Sequence, residues 1–201
     1  MRNQSMNASH NPPGTFEGSL EGLDLYSNGV TVRQWDAWIN TISISPIEQT
    51  WSYGEAFVGV TSYTPTHSVV YKKKLPVAIM QVMEWKIGNL IRLVKIVRGP
   101  LFFETASLAD KTSTYKLIHS QYSWRNFVFL LWTPEFHAGS RELGVFKRLK
   151  LKKVVTGYSS ILLDLSKSED QLRKEMNSKW RNQLKKSETN SLRIQLGYGG
   201  A

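Results

Sequence analysis

There is no cysteine among the 201 residues. Disulfides, thiolate chemistry and cysteine-ligated zinc are therefore excluded. No apolar run approaches the roughly 20 residues that span a bilayer. The opening stretch MRNQSMNASHNPPGT is polar and lacks the apolar core of a secretory signal. A soluble, cytoplasmic protein is the expectation. Negative charge is scarce: 16 Asp and Glu face 26 Lys and Arg, for a net charge of +10. Such a surplus favours an anionic partner, whether nucleic acid, a phosphorylated small molecule or an anionic membrane surface.

Several motifs are also missing. Neither GxxxxGK[ST] nor GxGxxG occurs, so a phosphate-cradling loop of the usual kind is absent. After the third strand of the sheet, where such a loop is expected, the chain reads VRGPLFFETASLADK. One glycine followed by proline cannot offer the run of backbone N–H groups that holds a pyrophosphate. The four histidines, His10, His67, His119 and His137, have no metal-ligand spacing. Each reads as a surface or cap residue. GxSxG is missing, and no carboxylate pair stands out. No metal and no cofactor is expected.

Enough apolar residue is present, 41% of the chain, for one real core. Residues 1–28, rich in Asn, Ser, Gly and Pro, read as a flexible lead. Trp35, Trp38 and Ile39 share a helix face from Val32 onward. A second short helix spans Glu48 to Gly59. His67–Tyr71, Val77–Trp85 and Leu90–Val97 read as strands, with Lys72-Lys73-Lys74 as an exposed hairpin end. A helix over Ser107–Ser120 follows, then a buried strand at Asn126–Trp132 and a short helix at Gly139–Leu149. Ser159–Leu165 reads as a strand, and Ser191–Leu196 as another. Helices and strands mixed in this order predict an α+β or α/β unit, with helices on both faces of a sheet.

Between the last two strands lies a long helix, within Leu163–Asn190, opened by a capping box of Ser166 and Glu169. Leu172, Met176, Trp180 and Leu184 form one apolar stripe. Arg181, Lys185 and Lys186 make its far end basic. The pattern by itself is an amphipathic helix with a solvated basic end. The sharper reading turns that end toward an anionic substrate.

Five segments in order resemble the Fem-type aminoacyltransferases and their acetyltransferase-like (GNAT-like) relatives. They are Gln49-Thr-Trp51-Ser-Tyr53-Gly54, Val77-Ala-Ile-Met-Gln81, Arg98-Gly99-Pro100-Leu101, Thr133-Pro134-Glu135, and Leu163-Asp164-Leu165-Ser166 running into Lys179–Lys186. The resemblance implies a mostly antiparallel mixed sheet with helices on both faces, used twice in a complete member. On that reading, residues 29–166 are the first unit, 167–190 the linking helix, and 191–201 the first strand of a second unit. A truncated or split member, lacking the donor-site unit, is the expectation. The activity implied is transfer of an acyl or aminoacyl group to an amine, in peptidoglycan or cell-envelope synthesis. The donor would be aminoacyl-tRNA or acyl-coenzyme A, the acceptor anionic, and a second-half polypeptide a partner. Arg98, Arg181 and Lys185 carry over as substrate-binding positions; no catalytic residue does. The lysine that precursor-extending members place soon after the first motif is absent from Gly54-Glu55-Ala56-Phe57. The wider acyltransferase group is thus equally implied. A basic tRNA-binding module, or a non-catalytic remnant, is the alternative.

Overall fold

The computed structural model describes residues 12–88, 90–124, 127–135, 140–154 and 163–190. It divides into two compact units, residues 1–156 and 157–201, each treated separately below.

Unit 1 is built on one sheet. Its strands are β1 (Thr15–Leu20), β2 (Leu23–Ser27), β3 (Thr64–Lys72), β4 (Leu75–Ile87), β5 (Ile91–Val97), β6 (Leu101–Phe102) and β7 (Val128–Thr133). Spatial order is β1-β2-β3-β4-β5-β7, with β6 paired to β4. Every pairing is antiparallel except β5 with β7, which run parallel from Arg92↔Val128 to Val97↔Thr133. The helices are α1 (Val32–Ile39), α2 (Trp51–Val58), α3 (Leu108–Gln121) and α4 (Glu142–Arg148), with a 3₁₀ turn at Ile47–Gln49.

Local chemistry fixes the helix starts. Thr31 accepts from the Gln34 N–H and Thr50 from the Tyr53 N–H, each satisfying a free donor of a first turn. Ser107 and Asp110 form a reciprocal capping box on α3. Two apolar clusters then sandwich the sheet. One gathers Leu117, Ile118 and Tyr122 of the α3 segment with Val70, Met80, Val82, Val94 and Ile96. The other gathers Trp35 and Ile39 of α1 with Val69, Tyr71, Ile79 and Leu101. Alternation along β3 and β4 divides side chains between the two faces. Because both faces are covered, β4 is buried continuously from Val77 to Met83.

Two expectations change in this unit. The lead expected over residues 1–28 holds a hairpin: β1 and β2 join at Glu21-Gly22, both at positive φ. Leu23 and Leu25 are fully buried, and the glycines at 14, 18 and 22 disguised their period of two. Asn126–Trp132 is not uniformly buried. Val128 faces the core, whereas Phe129 and Leu131 are 58% and 43% exposed, because among the described residues only one face of β7 is covered.

In unit 2, the long helix is two helices, α5 (Glu169–Glu175) and α6 (Ser178–Glu188). Met176 turns extended, with ψ 143°, and the Asn177 side chain caps α6 by accepting from the Lys179 N–H. An Asn at that point competes with the helical backbone and starts a new helix. The cap of α5 is Ser168 with Gln171, not Ser166 with Glu169; Ser166 bonds the Asp164 carboxylate instead. Arg173 pairs with Glu169 one turn away on α5 and bridges to Glu188 of α6. Leu172, Met176 and Leu184 line a shared groove, while Trp180 is 63% exposed. The strands expected at Ser191–Leu196 and over most of Ser159–Leu165 lie outside the described residues. Among the described residues, no helix is long and apolar enough to cross a membrane.

Candidate functional site

Four of the five matching segments meet in unit 1, around a buried amide pair. Gln49 sits on the 3₁₀ turn before α2 and Gln81 in the middle of β4; both are fully buried. Gln49 Oε1 accepts from the Gln81 backbone N–H at 2.7 Å. Its Nε2 donates to the Val97 carbonyl at 2.6 Å and lies 3.4 Å from the Gln81 carbonyl. Gln81 Nε2 donates to the Glu48 carbonyl at 3.0 Å. These bonds fix both amide orientations. They also stitch the turn before α2 to the centre of β4 and the end of β5.

His67 of β3 completes the network. Its Nε2 is 2.9 Å from Gln81 Oε1. That oxygen can only accept, so the imidazole proton sits on Nε2. Trp51 stacks on the ring at 3.7 Å, and Trp35 meets it edge-on at 4.8 Å. Burial among these rings pushes the His67 pKa down to about 4, so the imidazole is neutral at ordinary pH. This corrects the sequence expectation of a surface or cap role for His67, which is 6% exposed. The legible signal was its period-two position with Val69 and Tyr71, on the α1–α2 face of β3. Close packing leaves no room at two glycines. A Cβ on Gly54 would lie 2.4 Å from Gln81 Oε1, and one on Gly99 would lie 2.9 Å from Gln49 Nε2.

Arg98 stands where this network reaches the surface. Its backbone N–H bonds the Thr133 carbonyl at 2.7 Å, tying the ends of the parallel pair β5 and β7. Its φ of 53° is unusual for a residue with a Cβ. The guanidinium makes a two-point contact with Glu135, at 2.5 and 3.0 Å, and lies 3.6 Å from Glu48 Oε2. The bond to Glu135 raises its pKa further, so the group is a permanent cation. Glu48 Oε2 is buried and accepts no hydrogen bond among the described residues. Thus a half-exposed cation lies between two carboxylates, one of which has an unused acceptor. The site can grip an anionic group by exchange with Glu135, while the buried Glu48 oxygen holds the guanidinium from beneath.

The other two expected positions belong to unit 2. Arg181 and Lys185 both lie on α6 and are exposed. Arg181 Nη1 donates to the Lys174 carbonyl at 3.3 Å. Sequence reasoning passed over Glu48, although it adjoins Gln49, because a lone acid before a helix looks like an ordinary first-turn residue. No group of acidic or histidine side chains among the described residues could hold a metal ion. A separate polar cleft of about 1040 Å³ opens beside Arg92, at the other end of β5, and none of Gln49, His67, Gln81 or Arg98 lines it.

No protein-family model matches the sequence, and no curated protein matches it. Solved structures do. FemX is similar over 81% of this chain, with a TM-score of 0.58 at 16% identity. The chain spans 43% of the length of FemX. A GCN5-related N-acetyltransferase from Ralstonia eutropha JMP134 aligns with 70% of this chain and 99% of its own, at a TM-score of 0.41 and 9% identity. An aminoglycoside acetyltransferase from an uncultured soil metagenomic sample aligns with 70% of this chain and 97% of its own, at 0.42 and 9%. The fold is the acetyltransferase-like one found in FemX.

Proposed function

We propose that this chain supplies the acceptor side of an acyl- or aminoacyltransferase acting on an amine in cell-envelope synthesis, peptidoglycan included. The observation that carries it is the convergence of Gln49, Trp51, Gly54, Gln81, Arg98 and Glu135 on one network that ends in a surface cation between two carboxylates. Arg98 would anchor an anionic group of the acceptor, a carboxylate or phosphate, through two parallel N–H bonds. Anchored there, the acceptor would hold its amine against the acyl carbonyl of the donor. When the amine nitrogen bonds to that carbonyl carbon, the bond to the donor's ribose oxygen or thioester sulfur breaks, and the amine proton ends on that oxygen or sulfur as the alcohol or thiol departs. The donor, aminoacyl-tRNA or acyl-coenzyme A, would sit on a second acetyltransferase-like unit, as the span of this chain on FemX suggests. Arg181 and Lys185, exposed on α6, would bind an anionic part of a substrate.

The test is transfer from radiolabelled aminoacyl-tRNA or acyl-coenzyme A to amine-bearing peptidoglycan precursors. The chain would be assayed alone and mixed with the second unit of a Fem-type enzyme. Transfer by the mixture, lost on Arg98→Ala, is expected. Transfer by the mixture that is indifferent to Arg98 would refute the assigned site. Failure of the precursors to bind this chain at all would refute the acceptor role.

A further inference from the structure

Between Lys147 and Lys153 the chain carries Lys147, Arg148, Lys150, Lys152 and Lys153 without an acidic residue among them. All five side chains are exposed. None enters an ion pair among the described residues, whereas Lys72 of the other lysine run is held by Asp110. The strip is anchored from beneath. Val145 is buried, and Phe146 packs on the rings of Tyr115 and Trp132 at 5.1 and 4.8 Å. The N–H groups of Leu149, Lys150 and Leu151 bond back to Val145, Lys147 and Phe146. Lys147, Arg148 and Lys150 therefore stand on a fixed support, with Lys152 and Lys153 directly following it, and mutual repulsion among the five is left uncompensated.

Apolar side chains accompany the charges. Leu143 at one end and Val154 at the other are 44% and 67% exposed. We propose that this strip docks unit 1 on an anionic lipid surface. Clustered lysines suit a diffuse layer of lipid phosphates, and each adds to binding nearly independently. Exposed Leu143 and Val154 gain by entering the headgroup layer, and they would gain nothing against a nucleic-acid backbone. The aromatic ring of the segment, Phe146, is engaged inward and unavailable for base stacking. The strip is separate from Arg98 and does not depend on the transferase reading.

Co-sedimentation of the full chain with phosphatidylglycerol–phosphatidylcholine vesicles tests it, with pure phosphatidylcholine vesicles for comparison. Binding to the anionic vesicles alone, weakening with salt, is expected. Each lysine contributes on the order of fivefold in partitioning, so Lys152→Gln with Lys153→Gln should cost roughly 25-fold. The charge-matched pair Lys73→Gln with Lys74→Gln should stay close to the parent protein. Equal loss in both double variants would make net charge the cause and overturn the site. So would equal binding to both kinds of vesicle, or to neither. A duplex RNA that binds the parent but not the Lys152/Lys153 variant, with vesicles unbound, would give the strip to nucleic acid and overturn the lipid assignment.

Discussion

The indole of Trp51 lies flat on the imidazole of His67, with ring centroids 3.7 Å apart and planes inclined by 4°. Burial against Trp35 and Trp51 strips water from the imidazole, and that desolvation favours the neutral ring. The lowered pKa, about 4 against an ordinary 6.5, makes stability depend on pH. Below pH 6.5 the unfolded chain takes up a proton that the folded chain refuses. Stability is then full above that point and falls as the pH drops toward 4. Allowing for water near the ring, the loss is on the order of 2 kcal/mol. Urea titrations at pH 7 and pH 4.5 should show it. The His67→Gln variant, less stable at pH 7, should lose that component of the slope.

Gln49→Leu should be among the most damaging changes in unit 1. The variant strands the Gln81 N–H and the Val97 carbonyl, and unsatisfied buried groups cost about 1–3 kcal/mol each. A fall in the denaturation midpoint, with loss of amide protection at Gln81 in hydrogen exchange, is the expected readout.

Gly54→Ala should destabilise although alanine is the better helix former. A methyl group would lie 2.4 Å from Gln81 Oε1 and 3.0 Å from the Pro65 Cβ, so overpacking wins by roughly 1–3 kcal/mol. Gly59→Ala provides the contrast, because its nearest neighbour would be 3.5 Å away. Thermal melting of the two variants should separate them clearly.

Arg98→Gly divides structure from function. Glycine accepts the positive φ at no steric cost and keeps the bond to Thr133; the Glu135 pair it removes is exposed and weak, and the Glu48 contact at 3.6 Å is too long for a hydrogen bond. Stability should fall by no more than about 1–3 kcal/mol, most of it from the buried Glu48 oxygen left without its cation. Precursor binding should fall by tenfold or more, as loss of a charge-assisted contact implies. Arg98→Lys should restore only part of it, since lysine cannot make the two-point contact.

The fold was legible wherever a period was clean. Trp35, Trp38 and Ile39 announced α1, and the β-branched runs announced β3 to β5. The hairpin at Thr15–Ser27 was not, because glycines interrupt its alternation. The break at Met176–Asn177 was hidden for another reason: a stripe of period four continues across a short interruption, and only the extended ψ of Met176 shows it.

For the site, the sequence by itself determined the chemical inventory. It excluded thiol chemistry and the usual phosphate loop, set the surplus of positive charge, and marked Arg98 and the segments around Gln49, Gln81 and Glu135. It could not say that these segments touch. Gln49 and Gln81 are 32 residues apart, and Arg98 and Glu135 are 37. Contacts at such separations follow from strand order and register, which no local period encodes. Only the tertiary structure decided that His67 is a neutral buried member of the network, that Glu48 keeps an unused acceptor, and that Arg98 emerges between two carboxylates. The physical reason is that desolvation and hydrogen-bond partners belong to places in the fold, while a sequence supplies only the groups that can occupy them.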